Sequence, residues 1–318
     1  MAAGLYGSDA VFTAHMDAFF AGYGPDGAAL RDVWLRPAPN PKLGDALLTQ
    51  PLLFAVGQAL GRAVAEWEGA PQVYLGHSVG ELAAACLAGV FGPDEGGALM
   101  AARSKALGTD GAGGMLAVSA PADAMAPYAT GEVAVAAVNG PRQTVLAGPD
   151  GPLDWTQLRL TEGGFTFMRL RSSHAFHSPV LRPAADRFAA VLGRVGLRPP
   201  QAELYSSRTA RPVRADEAVR PEFWAGQLAL TVRYWPALSA LLDTEGTEPG
   251  LVLLDASVDN SLSAPVRRHP AVRGGATVVV PLLAPGTEGT PAELAAFEAA
   301  REQVLRSREG SPAQAPVS

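Results

Sequence analysis

The chain is poor in cysteine and lysine: Cys86 is the single cysteine, and only two of the 318 residues are lysines. A lone cysteine excludes an intramolecular disulfide and a metal site built from several cysteines. No apolar run is long enough to cross a bilayer, and the N-terminus lacks the basic and then apolar layout of a secretion signal. These absences predict a cytoplasmic protein that does not use a membrane.

Charge and hydrophobic content narrow the class of protein further. The formal net charge is −6, from 25 basic and 31 acidic residues. This balance argues against nucleic acid or an anionic membrane surface as a main partner. Because 48% of the residues are hydrophobic, the chain can bury a large core, and we expect one large domain or two lobes.

The most informative pattern is a serine set between two glycines. An apolar run over residues 73–75 stops at Gly76, Ser78 follows two positions later, and Gly80 precedes a helix-forming stretch. In a chain with 35 glycines such a pattern can arise by chance, but a strand before it and a helix after it are the context of a nucleophile elbow. We therefore predict that Ser78 lies on a strained corner, with free N–H groups of the next helix available to hold an oxyanion.

The middle of the sequence alternates between strand-like and helix-like segments. They are strand 115–119, helix 121–128, strand 132–138, strand 143–147, helix 153–162 and strand 167–171. The order β-α-β-β-α-β is the ferredoxin-like motif. We predict an α/β fold in which this small lobe, residues 113–179, is inserted into a large α/β-hydrolase-like lobe, residues 1–112 and 180–306.

The C-terminal part carries two further expectations. Segments 251–255 and 276–281 have strand-like composition, and we expect them to return to the main sheet. Residues 307–318 are polar and contain prolines, so we expect a disordered tail.

The hexapeptide Gly-His-Ser-Val-Gly-Glu over residues 76–81 resembles the active-site signature of the malonyl-CoA:acyl carrier protein transacylase family. That family includes the acyltransferase domains of polyketide synthases. The resemblance extends from about Leu5 to about Val266, and four more segments match in the family's order: 49–56, 112–118, 138–142 and 173–179.

The sequence offers five histidines as a possible base for Ser78. His15 and His269 lie outside the motifs, and His77, as the direct neighbour of Ser78 on a sharp turn, is better explained as a packing residue. His174 and His177 fall where the small lobe rejoins the large one, and a cleft between lobes favours ligands. The resemblance implies that His177 is the base, oriented by backbone carbonyls without a triad carboxylate, and that His174 is structural or lines the pocket.

The resemblance also implies that Arg103, 25 positions after Ser78, binds the free carboxylate of a malonyl group. A guanidinium suits this task because it binds carboxylates in a bidentate manner and stays charged when partly buried. The alternative is an ordinary surface arginine on a helix. Phe176 resembles the family's malonyl-specificity motif, in which a bulky ring leaves little room for an α-methyl branch. Asn139 and His77 are further candidates near the acyl group, and we expect Glu81 to anchor the elbow through an ion pair.

Two departures from the family pattern stand out. Family members open with a strand and a loop similar to Pro-Gly-Gln-Gly-Ser-Gln, whose glutamine forms the oxyanion hole with the N–H after the serine, here Val79. This chain begins at what looks like the segment after that loop, so either its start is trimmed or misassigned, or a strand and one oxyanion donor are missing. The family's Glu-x-Gly-Pro is replaced by a different sequence over residues 254–259.

The resemblance implies a ping-pong acyltransferase in which Ser78 takes a malonyl-type acyl group from coenzyme A and passes it to the phosphopantetheine thiol of an acyl carrier protein. Neither a metal nor a redox cofactor is implied. We expect a free-standing monomer that serves a polyketide synthase in antibiotic biosynthesis. Because carrier proteins are typically acidic, docking would need a local basic patch. The candidates are Arg208, Arg211 and Arg214, or Arg267 and Arg268, unless these are only solvated loop charges.

Three other functions stay open. The first is a carrier-to-carrier transferase for an unusual starter, such as an aminoacyl group. The second is an acyl hydrolase that clears stalled carriers, with water as the final acceptor. The third is a docking protein with an inactive site, which the presence of Ser78, His177 and Arg103 argues against.

Overall fold

The computed structural model describes residues 1–37, 39–67, 71–108, 110–286 and 289–309. Its α-helices are α1 Ala10–Tyr23, α2 Gly27–Trp34, α3 Ala46–Ala65, α4 Val79–Leu87, α5 Pro93–Leu107, α6 Asp150–Glu162, α7 Arg182–Leu192, α8 Ala215–Ala218, α9 Pro221–Ala225, α10 Tyr234–Glu245, α11 Ser263–Val266, α12 Pro270–Arg273 and α13 Pro291–Glu309. Its strands are β1 Val73–Leu75, β2 Gly114–Val118, β3 Ala134–Gly140, β4 Gln143–Gly148, β5 Phe167–Arg169, β6 Glu203–Ser206, β7 Arg211–Pro212, β8 Leu251–Asp255 and β9 Thr277–Pro281. Short 3-10 turns lie at Ala3–Leu5, Pro41–Gly44, Asp123–Met125, Pro179–Leu181 and Gly226–Leu228.

The large lobe is built around a short parallel strand pair. β1 pairs with β6, with Val73 opposite Glu203, and β6 pairs in turn with the two-residue β7 in the antiparallel direction. Helix α4 follows β1 directly and is buried over most of its length, because it lies against both α3 and the sheet. Helices α1, α3, α5 and α7 pack against one another and, together with α4, form one continuous apolar core.

The small lobe is an antiparallel four-stranded sheet in the order β3-β4-β2-β5. Helix α6 packs on one face, where Leu153 and Leu160 join buried side chains of β2 and β4. This strand order is that of the ferredoxin-like motif. The first predicted helix, 121–128, is wrong in extent: only the 3-10 turn Asp123–Met125 forms, because prolines at 121 and 127 leave room for a single turn.

Strands β8 and β9 were expected in the main sheet, and this expectation is wrong for the described residues. The two strands pair with each other in parallel, with Leu251 opposite Thr277, and form a separate two-stranded sheet. Successive side chains of β8 pack toward two different apolar cores. Val252 contacts the core that contains α4, and Leu253 contacts a separate core. The apolar composition therefore predicted both strands correctly, but the strand with which each of them pairs depends on packing in the fold.

A C-terminal helix reaches into the segment predicted to be a disordered tail. α13 continues to Glu309, so the predicted disordered tail cannot begin at Ser307, and the rest of that prediction, residues 310–318, lies outside the described residues. The lobe boundaries at 113 and 179 stay predictions. Within the described ranges, no helix has the length and apolar character needed to span a membrane, and no group of three or more His, Cys, Asp or Glu side chains is placed to hold a metal ion.

Candidate active site

Ser78 lies at the corner between β1 and α4, as the glycine pattern predicts. Its backbone has φ 53° and ψ −126°, a region that residues other than glycine rarely adopt. Gly76 is required, because a Cβ there would come within 2.2 Å of the Gly80 carbonyl oxygen. Gly80 itself is not required for packing, since a Cβ at that position would meet nothing within 4 Å among the described residues.

The predicted base contacts the predicted nucleophile. Nε2 of His177 lies 2.8 Å from Oγ of Ser78, and Nδ1–H of the same ring donates to the Gln227 carbonyl oxygen at 2.8 Å. That second hydrogen bond fixes the tautomer and leaves the Nε2 lone pair facing the hydroxyl. Burial, with smaller contributions from the nearby His77 and Arg103, lowers the pKa of His177 to about 3. The imidazole is therefore neutral and able to accept a proton at physiological pH.

Arg103 is a buried cation with neutral partners. Only 1% of the residue is exposed, which rules out the alternative of an ordinary surface arginine. Its guanidinium donates from Nη1 to the Gln50 side chain and from Nη2 to Oε1 of Gln227 at 3.3 Å. Burial lowers its pKa to about 9, so the group stays charged at neutral pH. Among the described residues, Nε has no hydrogen-bond partner and no carboxylate lies within ion-pair distance.

His77 and Asn139 meet beside the elbow although 62 positions separate them. Nε2 of His77 lies 2.8 Å from Oδ1 of Asn139, and the edge of the ring meets Tyr234 with centroids 5.4 Å apart. Burial lowers the pKa of His77, so this ring is also neutral at physiological pH. Since β3 carries Asn139, this contact joins the small lobe to the nucleophile corner.

Phe176 and His174 form a stacked pair next to the base. Their ring centroids are 5.3 Å apart, and the Phe176 ring lies 6.5 Å from that of His177. Nδ1 of His174 shares a hydrogen bond with the Ser173 hydroxyl at 3.0 Å. The pair is nearly fully buried, so it forms a rigid wall beside the imidazole.

Glu81 anchors the elbow, but through hydroxyl groups in place of the predicted ion pair. Its carboxylate accepts hydrogen bonds from the hydroxyls of Ser206 and Ser207, which β6 and the following residue supply. Burial raises the pKa of Glu81 while these hydroxyls and the more distant Arg208 oppose the shift. The contact ties α4 to β6 and so fixes the orientation of the strand-to-helix corner.

Gln227 belongs to the site, although none of the sequence motifs includes it. Its backbone carbonyl binds His177, its side-chain oxygen binds Arg103, and its side-chain nitrogen donates to the Ser78 carbonyl oxygen at 2.6 Å. The available signal was an amide inside the apolar run Phe-Trp-Ala-Gly-Gln-Leu at 223–228. A buried amide in such a run requires hydrogen-bond partners, but the sequence does not indicate which ones.

A hydroxyl on a strand-to-helix corner, hydrogen-bonded to a neutral buried imidazole, defines the class of enzymes that transfer groups through a serine. Comparison with known proteins narrows this class. The family model for the acyl transferase domain matches residues 1–304. The chain belongs to the acyl transferase domain family and is an acyltransferase, which confirms the predicted family and the predicted fold class.

Individual relatives agree with this assignment. The chain is 33% identical over 266 residues to the spectinabilin polyketide synthase system protein NorB of Streptomyces orinoci, a match that covers 81% of this chain and 12% of NorB. It is similar to the acyltransferase domain of the second module of the salinomycin polyketide synthase, with TM-score 0.82, 31% identity, and coverage of 96% and 72% of the two chains. It is also similar to the acyl transferase domain of SpnD in complex with 2-(pent-4-yn-1-yl)malonyl, with TM-score 0.84, 28% identity, and coverage of 98% and 74%.

Proposed function

We propose that the protein transfers a malonyl-type acyl group from coenzyme A, through an ester on Ser78, to the phosphopantetheine thiol of an acyl carrier protein in polyketide biosynthesis. The observation that carries this proposal is Arg103. A buried cation without a carboxylate partner among the described residues is costly to maintain, and a substrate carboxylate relieves that cost. The unpaired Nε of Arg103 is a donor that such a carboxylate would satisfy.

The acyl group therefore belongs to the dicarboxylic class. An acetyl group would leave the guanidinium unpaired in a dry pocket, whereas a malonyl carboxylate would accept two charge-assisted hydrogen bonds. The similarity to an acyl transferase domain bound to a substituted malonyl group supports the same class. Phe176, packed between the rings of His174 and His177, favours an unbranched malonyl group over one with an α-methyl branch.

The first half of the reaction forms the acyl-enzyme. Nε2 of His177 takes the Ser78 proton as Oγ attacks the thioester carbonyl. The N–H of Val79, the first residue of α4 and so without an intrahelical acceptor, holds the oxyanion. When the tetrahedral intermediate collapses, the carbon–sulfur bond breaks, and His177 returns its proton to the departing thiolate of coenzyme A.

The second half repeats these steps with a different thiol. His177 deprotonates the phosphopantetheine thiol, whose sulfur attacks the Ser78 ester, and the Val79 N–H again holds the oxyanion. Collapse breaks the bond to Oγ, which recovers its proton from His177. The assignment to polyketide biosynthesis rests on the synthase relatives, and the matches cover only between 3% and 18% of the length of those proteins.

The test is intact-mass measurement after incubation with a panel of acyl thioesters. We expect malonyl-CoA to add one malonyl mass to the wild type and nothing to Ser78→Ala, and we expect a carrier protein with its phosphopantetheine arm to remove the label. Labelling by an aminoacyl carrier but not by malonyl-CoA would favour the carrier-to-carrier transferase. Rapid loss of label to water without a carrier would favour the hydrolase.

A further inference from the structure

Gln227 contacts the three parts of the site that the reaction needs. It lies in the 3-10 turn Gly226–Leu228 and is 4% exposed. Its backbone carbonyl orients the base, but that role needs no glutamine side chain. The side chain makes two further hydrogen bonds, to Arg103 at 3.3 Å and to the Ser78 carbonyl at 2.6 Å.

The chemistry of these partners fixes the orientation of the amide. Arg103 has only donors, so it must face the amide oxygen of Gln227. The Ser78 carbonyl is only an acceptor, so it must face the amide nitrogen. A glutamine is the side chain that satisfies both at this length, and a flipped amide would lose both bonds.

The bond to the Ser78 carbonyl controls the neighbouring N–H. The peptide between Ser78 and Val79 is planar, and its C=O and N–H point in opposite directions. A group that holds the Ser78 carbonyl therefore also sets the direction of the Val79 N–H, which faces the oxyanion in the proposed mechanism. The Ser78 carbonyl also accepts a hydrogen bond from the Glu81 N–H of α4 at 2.9 Å. Gln227 is the second donor to it, and this added restraint matters because Ser78 has a strained φ of 53°.

We propose that the Gln227 side chain is a positioning residue that couples recognition of the substrate carboxylate to the oxyanion hole. Arg103 holds the amide oxygen, the amide nitrogen holds the Ser78 carbonyl, and the Val79 N–H is thereby aimed at the reacting carbonyl. Gln58 is a suitable control, because it is also a glutamine that is 4% exposed, whereas its side chain meets His15 outside the site. The inference rests on the proposed function only in assigning Arg103 to the binding of the substrate carboxylate.

The test uses p-nitrophenyl acetate, an activated ester without a carboxylate, and measures the rate of Ser78-dependent acylation. Loss of one oxyanion donor lowers such rates by about 100-fold or more, so a misdirected donor should lower them by roughly tenfold. We expect this loss in Gln227→Met, which keeps the length and volume of the side chain. Gln58→Met should react within about twofold of the wild type, because it leaves both Arg103 and the oxyanion donor in place. Equal rates for the wild type and Gln227→Met, or equal losses in both variants, would overturn the proposal.

A double variant distinguishes coupling from a general structural role. If Arg103 acts on the ester reaction through Gln227, Arg103→Met should slow the wild type but cause no further loss in Gln227→Met. Additive losses would contradict the coupling. Should Gln227→Met fail to fold, Gln227→Glu is nearly isosteric, and its carboxylate cannot donate to the Ser78 carbonyl, so wild-type rates in that variant would also overturn the proposal. If the ester rates are as expected but malonyl-CoA does not label Ser78, the proposed function is rejected whereas the role of Gln227 is supported.

Discussion

Ser78 and His177 both have a positive backbone φ, and their side chains share a hydrogen bond. Their φ values are 53° and 61°, and the hydroxyl oxygen and Nε2 lie 2.8 Å apart. Each residue in such a region costs about 1–3 kcal/mol unless the surroundings hold it there. His177 is held by its backbone N–H, which donates to the Leu228 carbonyl, and by its bond to Gln227. The proposed nucleophile and base are thus both held in strained positions by the same short turn.

The strain at Ser78 should appear as a difference between two inactive variants. Ser78→Ala and Ser78→Gly both remove the hydroxyl, but only glycine adopts the observed backbone angles at little cost. We expect Ser78→Gly to be more stable to unfolding than Ser78→Ala by about 1 kcal/mol, even after the added flexibility of the unfolded chain. Denaturant unfolding of both variants measures this difference, and equal or reversed stabilities would show that the corner is not strained.

The neutral state of His177 predicts how acylation depends on pH. Burial lowers the pKa of this histidine to about 3, far below its ordinary value of about 6.5. A base with a lowered pKa stays unprotonated as the pH falls, so the rate of Ser78 acylation should hold between about pH 7 and about pH 5. Rapid-quench measurement of the acyl-enzyme across this range provides the test. A loss of rate with a midpoint near the ordinary value of about 6.5 would mean that the imidazole is solvated.

The sequence could predict the nucleophile corner because the requirements there are local. A strand, two glycines around a serine, and an apolar helix lie within one short segment, and Gly76 is fixed by a backbone contact within that segment. Identifying His177 and Arg103 depended on the family resemblance, since 99 positions separate the hydrogen-bonded Ser78 and His177. The number of residues between two positions in the sequence does not indicate how far apart their side chains lie in the fold.

Other parts of the site could not be predicted because they depend on tertiary contacts. Gln227 matters through three partners that the fold brings to it, and none of them is close in sequence. Glu81 was expected to need a cation, but two hydroxyls at the end of the neighbouring strand satisfy it. In the same way, β8 and β9 have strand composition, whereas their choice of partner follows from the packing between two cores.

Arg103 should discriminate between acyl groups by charge. If its guanidinium binds the substrate carboxylate, Arg103→Ala should reduce kcat/KM for malonyl-CoA by at least roughly 100-fold, because the carboxylate would then be buried without a partner. The loss with acetyl-CoA should be much smaller, since that substrate has no carboxylate contact to lose and is affected only through the Gln227 positioning of the oxyanion hole. Steady-state kinetics with both thioesters measures the ratio. Equal losses would assign Arg103 a structural role and favour the unusual-starter alternative.

Phe176 should restrict branching next to the reacting carbonyl. The ring is 5% exposed and stacks on His174, so it cannot move aside readily. Phe176→Ala should raise the preference for methylmalonyl-CoA relative to malonyl-CoA by about tenfold, in line with the roughly 1–3 kcal/mol available from one methyl group. Phe176→Leu keeps most of the bulk and is the matched control. An unchanged ratio in the alanine variant would place the α-carbon elsewhere.

The structure distinguishes the two arginine clusters predicted to dock the carrier protein. In the first cluster, Arg211 forms a bidentate pair with Glu217, and Arg208 lies over the ring of Phe223 at 4.0 Å. Two of its three arginines therefore already have partners within the protein, whereas Arg214 is exposed.

Arg267 and Arg268, in contrast, are exposed. A groove of about 360 Å³ is lined by Arg268 and Arg142. Arg142 lies just after β3, the strand that carries the site residue Asn139.

Docking of an acidic carrier protein should therefore depend on Arg142 and Arg268. Among the described residues, neither arginine has a carboxylate within 4.0 Å, so both charges are available to a partner. Reversing both to glutamate should raise the apparent KM for the carrier about tenfold or more, and added salt should weaken wild-type transfer in the same way. Acylation of Ser78 by malonyl-CoA should change little, because that half-reaction does not involve the carrier. Reversing Arg301 and Arg306 together, both exposed on α13, is the charge-matched control. A normal carrier KM in the double variant would place the docking surface on another face of the protein.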